Sequence, residues 1–146
     1  MTEDFTTAVE RHLRAVTERN LDDYLATVHD DVSVVLLNGR TIEGRRAVGD
    51  FHRDWFADPD WSWRLTPLTS SAGTGEALFA VEYHDLDQHG TPYELRYLLA
   101  LTFTRRDGTW LLLHDENTPH DEKRLGDEKP LGDETAPGDE KTPPGA

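Results

Sequence analysis

The chain has 146 residues, a formal net charge of -14 and no cysteine. Its length suits a single domain with a real core, the missing cysteines exclude a disulfide scaffold and thiol chemistry, and the acidity argues against nucleic acid as a partner, because phosphate contact needs a basic face. The first residues, MTEDFTTAVERHLRAV, carry acids instead of a signal-type apolar run, and no segment approaches membrane-spanning length, so the expectation is a cytoplasmic protein with no membrane partner.

Asp4 or Thr6 can open a first helix, with Phe5, Val9, His12, Leu13 and Val16 along one face. Asn20 is a good N-cap, and Asp22 and Asp23 sit where carboxylates complement the positive end of a helix, which predicts a short second helix to about Val28. His29-Asp30-Asp31 breaks it, and the run Val32 to Leu37 reads as a strand. Asn38-Gly39 is a hairpin signal that folds Arg40 to Glu43 back as a second short strand. A third helix, about Arg45 to Phe56, places Val48, Phe51, His52 and Trp55 on its buried side, and Asp58-Pro59 stops it.

Four strands follow, at Trp61 to Leu68, Ala77 to Asp87, Tyr93 to Arg105 and Thr109 to Thr118; connections this short imply antiparallel hairpins. Phe79, Val81, Tyr83 and Asp85 alternate on one face, as do Tyr93, Leu95, Tyr97, Leu99, Leu101 and Phe103. The opposite faces also carry apolar residues, Leu98 and Ala100 among them, so one side should meet the helices and the other a second copy of the chain. In the last strand, register decides which set points inward: Trp110, Leu112, His114 and Glu116, or Leu111, Leu113, Asp115 and Asn117.

From Asp121 the chain changes character. HDEKRL, GDEKPL, GDETAP and GDEKTP repeat with a period of six, hold all three lysines, and carry a net -4 that leaves -10 for residues 1–120. Repeats of glycine, proline and paired charges cannot bury enough apolar surface to offset their ordering entropy, so 121–146 is expected to be a disordered tail beside a folded domain at 1–120.

The order helix, helix, strand, strand, helix and four long strands resembles the nuclear transport factor 2-like fold. That resemblance implies an α+β domain, a cone-shaped curved antiparallel sheet wrapped around three N-terminal helices. NLDDYLATVHDDVSVV, GRTIEGRRAVGDF and EALFAVEY are similar to corresponding parts of ketosteroid isomerase and of the SnoaL-like polyketide cyclases, and WLLLHDENTP is similar to the last strand of the SnoaL-like branch. The isomerase resemblance implies a base at Leu36, a tyrosine at His12 and a protonated acid at or beside Leu101. Two of those three side chains cannot move a proton, so that enzyme's mechanism is not expected. A further isomerase tyrosine falls at His52. The SnoaL-like resemblance implies an aspartate base that removes a proton next to a carbonyl, a role that falls to Asp115.

The expected catalytic set is therefore His12, His52 and Asp115. Imidazole titrates near neutral pH, and Trp55, Tyr83, Tyr97, His114 and Asn117 are expected to line the substrate pocket, with Asp85 solvated near its open end. There is no HExxH, HxH or cysteine pair, and His84-Asp85 and His114-Asp115 put neighbours on opposite strand faces, so no metal site is expected. The first functional reading is cofactor-independent acid–base chemistry, of cyclase or isomerase type, on a hydrophobic carbonyl-bearing molecule such as a polyketide intermediate. The second is a non-catalytic protein that holds such a ligand. The third is an assembly module, signalled by an interior packed solid with Trp55, Trp63 and Tyr83. Homodimerisation through the outer sheet face accompanies all three.

Overall fold

The computed structural model describes residues 3–120, and the expected repeat tail at 121–146 lies outside them. Asp4 caps α1 (Phe5–Thr17) by accepting the Thr7 N–H at 3.3 Å, and Phe5, Val9, His12, Leu13 and Val16 are all buried. Asn20 caps α2 (Leu21–Leu25) by accepting the Asp23 N–H at 3.0 Å. This helix ends sooner than its composition suggests. The Thr27 carbonyl accepts from Leu112 N–H at 2.8 Å, which draws Val28 into the sheet.

The sheet has six strands, β1 (Val28–Val35), β2 (Thr41–Glu43), β3 (Ser62–Ser71), β4 (Glu76–Leu86), β5 (Pro92–Arg106) and β6 (Thr109–Pro119), in the order β2-β1-β6-β5-β4-β3. The Asn38-Gly39 turn joins β1 to β2 as expected, with Gly39 at φ 87°. His29, Asp30 and Asp31 lie beyond the helix, as expected, but within the strand and not before it. They form a bulged stretch within β1, where the register jumps between Val28 and Ser33. All strand pairs are antiparallel except β1 with β6. That parallel pairing is a correction to the hairpin logic, and it has a physical cause: it covers edge groups of β6 and turns Val32 and Val34 into the core.

Helix α3 (Arg45–Phe56) follows β2 and buries Val48, His52, Trp55 and Phe56, while Phe51 is half-buried against the same core. The α+β cone is thus a curved, unclosed sheet whose inner face packs on the three helices. Arg19 ties the turn after α1 to the chain before β3: it donates to the carbonyls of Asp58, at 3.2 Å, and of Trp61, and its guanidinium lies 4.1 Å from the centre of the Trp61 ring.

The register of β6 is settled by a bulge. Phe103 pairs with Leu112 and Thr102 with His114, so Leu113 is an extra residue on β6. Trp110 and Leu112 face inward before it, and Asp115 and Asn117 face inward after it. Neither simple alternation holds along the whole strand.

Candidate functional site inside the cone

Polar side chains from α1, α2, α3 and β6 meet in the apolar interior. The Thr27 hydroxyl donates to the Tyr24 carbonyl at 2.6 Å, so its oxygen accepts from His12 Nδ1–H at 2.8 Å. His52 Nδ1 donates to the Val48 carbonyl one turn back at 2.8 Å. Both rings carry the proton on Nδ1, and in the neutral form both present Nε2 as a base. The Tyr24 ring stacks on His52 at 4.1 Å and meets His12 at 5.3 Å, so the two histidines named from the sequence share one partner.

Asp115 and Asn117 are next to each other on the inner face of β6. Asn117 Nδ2 spends its two hydrogens on the Val35 carbonyl, at 2.9 Å, and on Asp115 Oδ1, at 2.8 Å. Asp115 Oδ2, Asn117 Oδ1 and the Tyr24 hydroxyl are then left buried with no hydrogen-bond partner among the described residues, as is Trp110 Nε1. Burial holds the Asp115 carboxyl well above the usual carboxylate range, and the Asn117 bond offsets this only in part. Burial also raises the Tyr24 and Tyr97 hydroxyls, and a charge on Asp115 would raise both further. Burial thus favours the neutral forms of these groups, which share the interior with the buried Leu36, Leu99 and Leu101.

The other expected pocket residues divide differently. Trp55 Nε1 donates to the Tyr83 hydroxyl at 3.1 Å, which donates in turn to Asp85 Oδ2 at 2.8 Å. The polar handles of Trp55 and Tyr83 are therefore committed to each other and to Asp85. Asp85 is not solvated as expected: it is 3% exposed, and its second oxygen accepts the Leu86 N–H at 2.7 Å. Trp55 stacks on Trp61 at 4.3 Å and meets Trp63 at 5.9 Å, which fills this end of the cone with rings. Tyr97 is inward and 1% exposed. His114 does not line the interior, because the Leu113 bulge turns it outward, where it lies 2.7 Å from Ser33 Oγ and 3.3 Å from Glu116 Oε1.

Tyr24 and Thr27 were missed in the sequence. Leu21, Tyr24 and Leu25 fall at helical spacing, so the rule that picked out His12 and His52 would also have found Tyr24. Thr27 gave no such signal, because its value lies in the hydroxyl that fixes His12. On the outer sheet face, Glu82, His84 and Glu94 place potential ligand atoms within 4.8 Å of one another, an arrangement that inspecting adjacent residues could not reveal. Arg64 already pairs with Glu82 at 2.7 Å and Arg96 with Glu94 at 3.5 Å, so this set has the form of a charged cross-strand ladder.

A family model for the SnoaL-like domain matches residues 9–112. The chain belongs to the SnoaL-like family. This SnoaL-like domain has the nuclear transport factor 2-like fold, and its family includes cyclases and isomerases. Among solved structures it is similar to an uncharacterised protein with a cystatin-like fold from Caulobacter vibrioides, at 19% identity and a TM-score of 0.66 over 84% of this chain and 92% of that one. An NTF2-like protein of unknown function from Exiguobacterium sp. 255-15 is similar at 18% identity and a TM-score of 0.63, over 78% of this chain and 98% of that one. The association domain of C. elegans CaMKII is similar at 17% identity and a TM-score of 0.58, over 78% and 92%. At these identities the likeness is one of fold. No curated protein sequence matches the SnoaL-like domain. Among its described residues, no helix is long and apolar enough to cross a membrane.

Proposed function

We propose that the SnoaL-like domain binds a hydrophobic, carbonyl-bearing, polyketide-like molecule and moves a proton next to its carbonyl without a cofactor. The observation that carries this reading is the fully buried Asp115 carboxyl, with one oxygen held by Asn117 and the other without a partner among the described residues. Perturbed acids of this kind concentrate at functional sites. Asp115 pairs directly with Leu101 across β5 and β6, so the acid stands one strand away from the position where the isomerase resemblance implies one.

The raised pKa reverses the role that the resemblance gave to Asp115. Burial favours the protonated carboxyl, and in that form Asp115 Oδ2–H, with the Tyr24 hydroxyl, would hold the carbonyl oxygen. Nε2 of His12 or His52 would take the α-proton, the enolate charge would fall on the oxygen between the two donors, and the imidazolium would return its proton to the rearranged product. A closing aldol ring or a migrated double bond would both follow from that enolate.

Exchange of α-hydrogens tests this without knowing the natural substrate. Nuclear magnetic resonance of 2-tetralone in deuterated water should show α-exchange accelerated by the protein and returned to the buffer rate by the double variant His12→Gln, His52→Gln. Exchange at the buffer rate with the unaltered protein would defeat the catalytic reading. Binding without exchange would favour the holding protein, which the apolar Leu36 and Leu101 also support. Absence of both binding and exchange would favour the assembly module, whose support is the packing of Trp55, Trp61 and Trp63 at one end of the cone.

Homodimerisation through the outer sheet face belongs to the same proposal. Leu78 pairs with Ala100 and Ala80 with Leu98 there, and these half-buried side chains make an apolar centre beside the charged ladder of Arg64, Glu82 and Arg96. A two-fold contact would lay this patch on its own copy. Sedimentation at micromolar concentration should give twice the chain mass; a monomer there would refute the interface.

A further inference from the structure

We infer that Asn117 sets the ligand specificity of the interior by demanding a hydrogen-bond donor beside the carbonyl acceptor, an inference that rests on the interior ligand site proposed above. The orientation of its amide follows from its neighbours. The Val35 carbonyl can only accept, so the atom 2.9 Å from it is the amide nitrogen. The second hydrogen of that nitrogen goes to Asp115 Oδ1 at 2.8 Å. Asn117 has no donor left to offer, and its Oδ1, buried and without a partner among the described residues, is purely an acceptor.

The same bond divides the labour at Asp115. Because Oδ1 accepts from Asn117, the proton of the neutral acid resides on Oδ2. Beside the two histidine bases, the polar atoms of the site are thus a donor at Asp115 Oδ2 in the neutral acid, an acceptor at Asn117 Oδ1 and a hydroxyl at Tyr24 that can serve as either. A plain ketone satisfies the donors but leaves Asn117 Oδ1 desolvated, and a buried acceptor without its bond is expensive. A molecule with O–H or N–H next to C=O satisfies both. The favoured class is therefore a hydroxy-ketone, an enolised dicarbonyl or a cis-amide, with an apolar frame against Leu36, Leu99 and Leu101.

The cis-lactam 2-quinolone is a suitable probe, because it offers N–H and C=O on one edge and cannot satisfy them internally. N-methyl-2-quinolone keeps the carbonyl and loses the donor. Titration followed by tryptophan fluorescence should show 2-quinolone binding at least about tenfold more tightly than the methylated compound, and Asn117→Leu should bring the ratio close to one. Equal affinities in the unaltered protein overturn the inference by themselves, whether or not the variant folds. A ratio that persists in a folded Asn117→Leu variant, checked by near-ultraviolet circular dichroism, overturns it as well. If both compounds bind equally and Asp115→Asn weakens both, Asn117 is excluded as the selector while the ligand site survives. If neither compound binds, the ligand site and this inference fall together.

Discussion

Asp115→Asn is expected to make the domain more stable as pH rises while slowing its chemistry. The Asp115 carboxyl titrates well above its ordinary value of 3.8 in the folded state because it is buried. The unfolded chain gives up this proton near the ordinary value. Between the two values the unfolded state therefore holds fewer protons than the folded one, and stability falls as pH rises. The stability linked to this group is fully present below the unfolded pKa and is lost as pH climbs through the folded one. The slope is about 1.4 kcal/mol per pH unit for one fully coupled group. An asparagine at 115 can still accept from Asn117 but has no proton to lose. In urea melts from pH 4 to pH 7, the variant should gain on the wild type progressively; parallel stability curves would contradict the assignment. The α-exchange rate should drop about 100-fold, because an amide N–H is a much weaker donor to a developing enolate than a carboxylic acid.

Gly75→Ala should cost about 3 kcal/mol or more, from left-handed backbone strain combined with overpacking. Gly75 has φ +74°, and a Cβ built on it would stand 2.5 Å from the Phe103 carbonyl oxygen. That neighbour is backbone, so no rotamer change can relieve the contact. It is also pinned, since Phe103 N–H donates to the Gly75 carbonyl at 2.7 Å. The damage would reach the interior, because the Phe103 ring packs edge-on to His12 at 5.8 Å. Gly39→Ala is the control: its φ is +87°, but nothing lies within 4 Å of the added carbon, so only the backbone strain of about 1 to 2 kcal/mol applies. Equal losses for the two variants in urea melts would show that the contact at Phe103 is unimportant.

Both effects depend on contacts between residues far apart in the chain, and this explains which parts of the site were legible in the sequence. His12 and His52 could be placed on inward helix faces because helical period is local, and both are buried there. Asp115 and Asn117 could be named only as one of two alternatives. The side they face depends on the Leu113 bulge, which arises from pairing with Phe103 and with the parallel strand β1. His114 was misplaced for the same reason. Tyr24 lies within reach of the helical period, whereas the Tyr83–Asp85 bond joins residues whose period of two is legible in the sequence although the burial of Asp85 is not.

By itself, the sequence determined the order of elements, the cap at Asn20, the Asn38-Gly39 turn and the apolar stripes of the helices, because each is a property of a few neighbouring residues. Only the tertiary structure decided that β1 runs parallel to β6, that a bulge brings Asp115 and Asn117 inward, and that Asp115 is buried where its neutral form is favoured. Those outcomes depend on strand pairing over some eighty residues and on desolvation, which is a property of everything packed around the carboxyl.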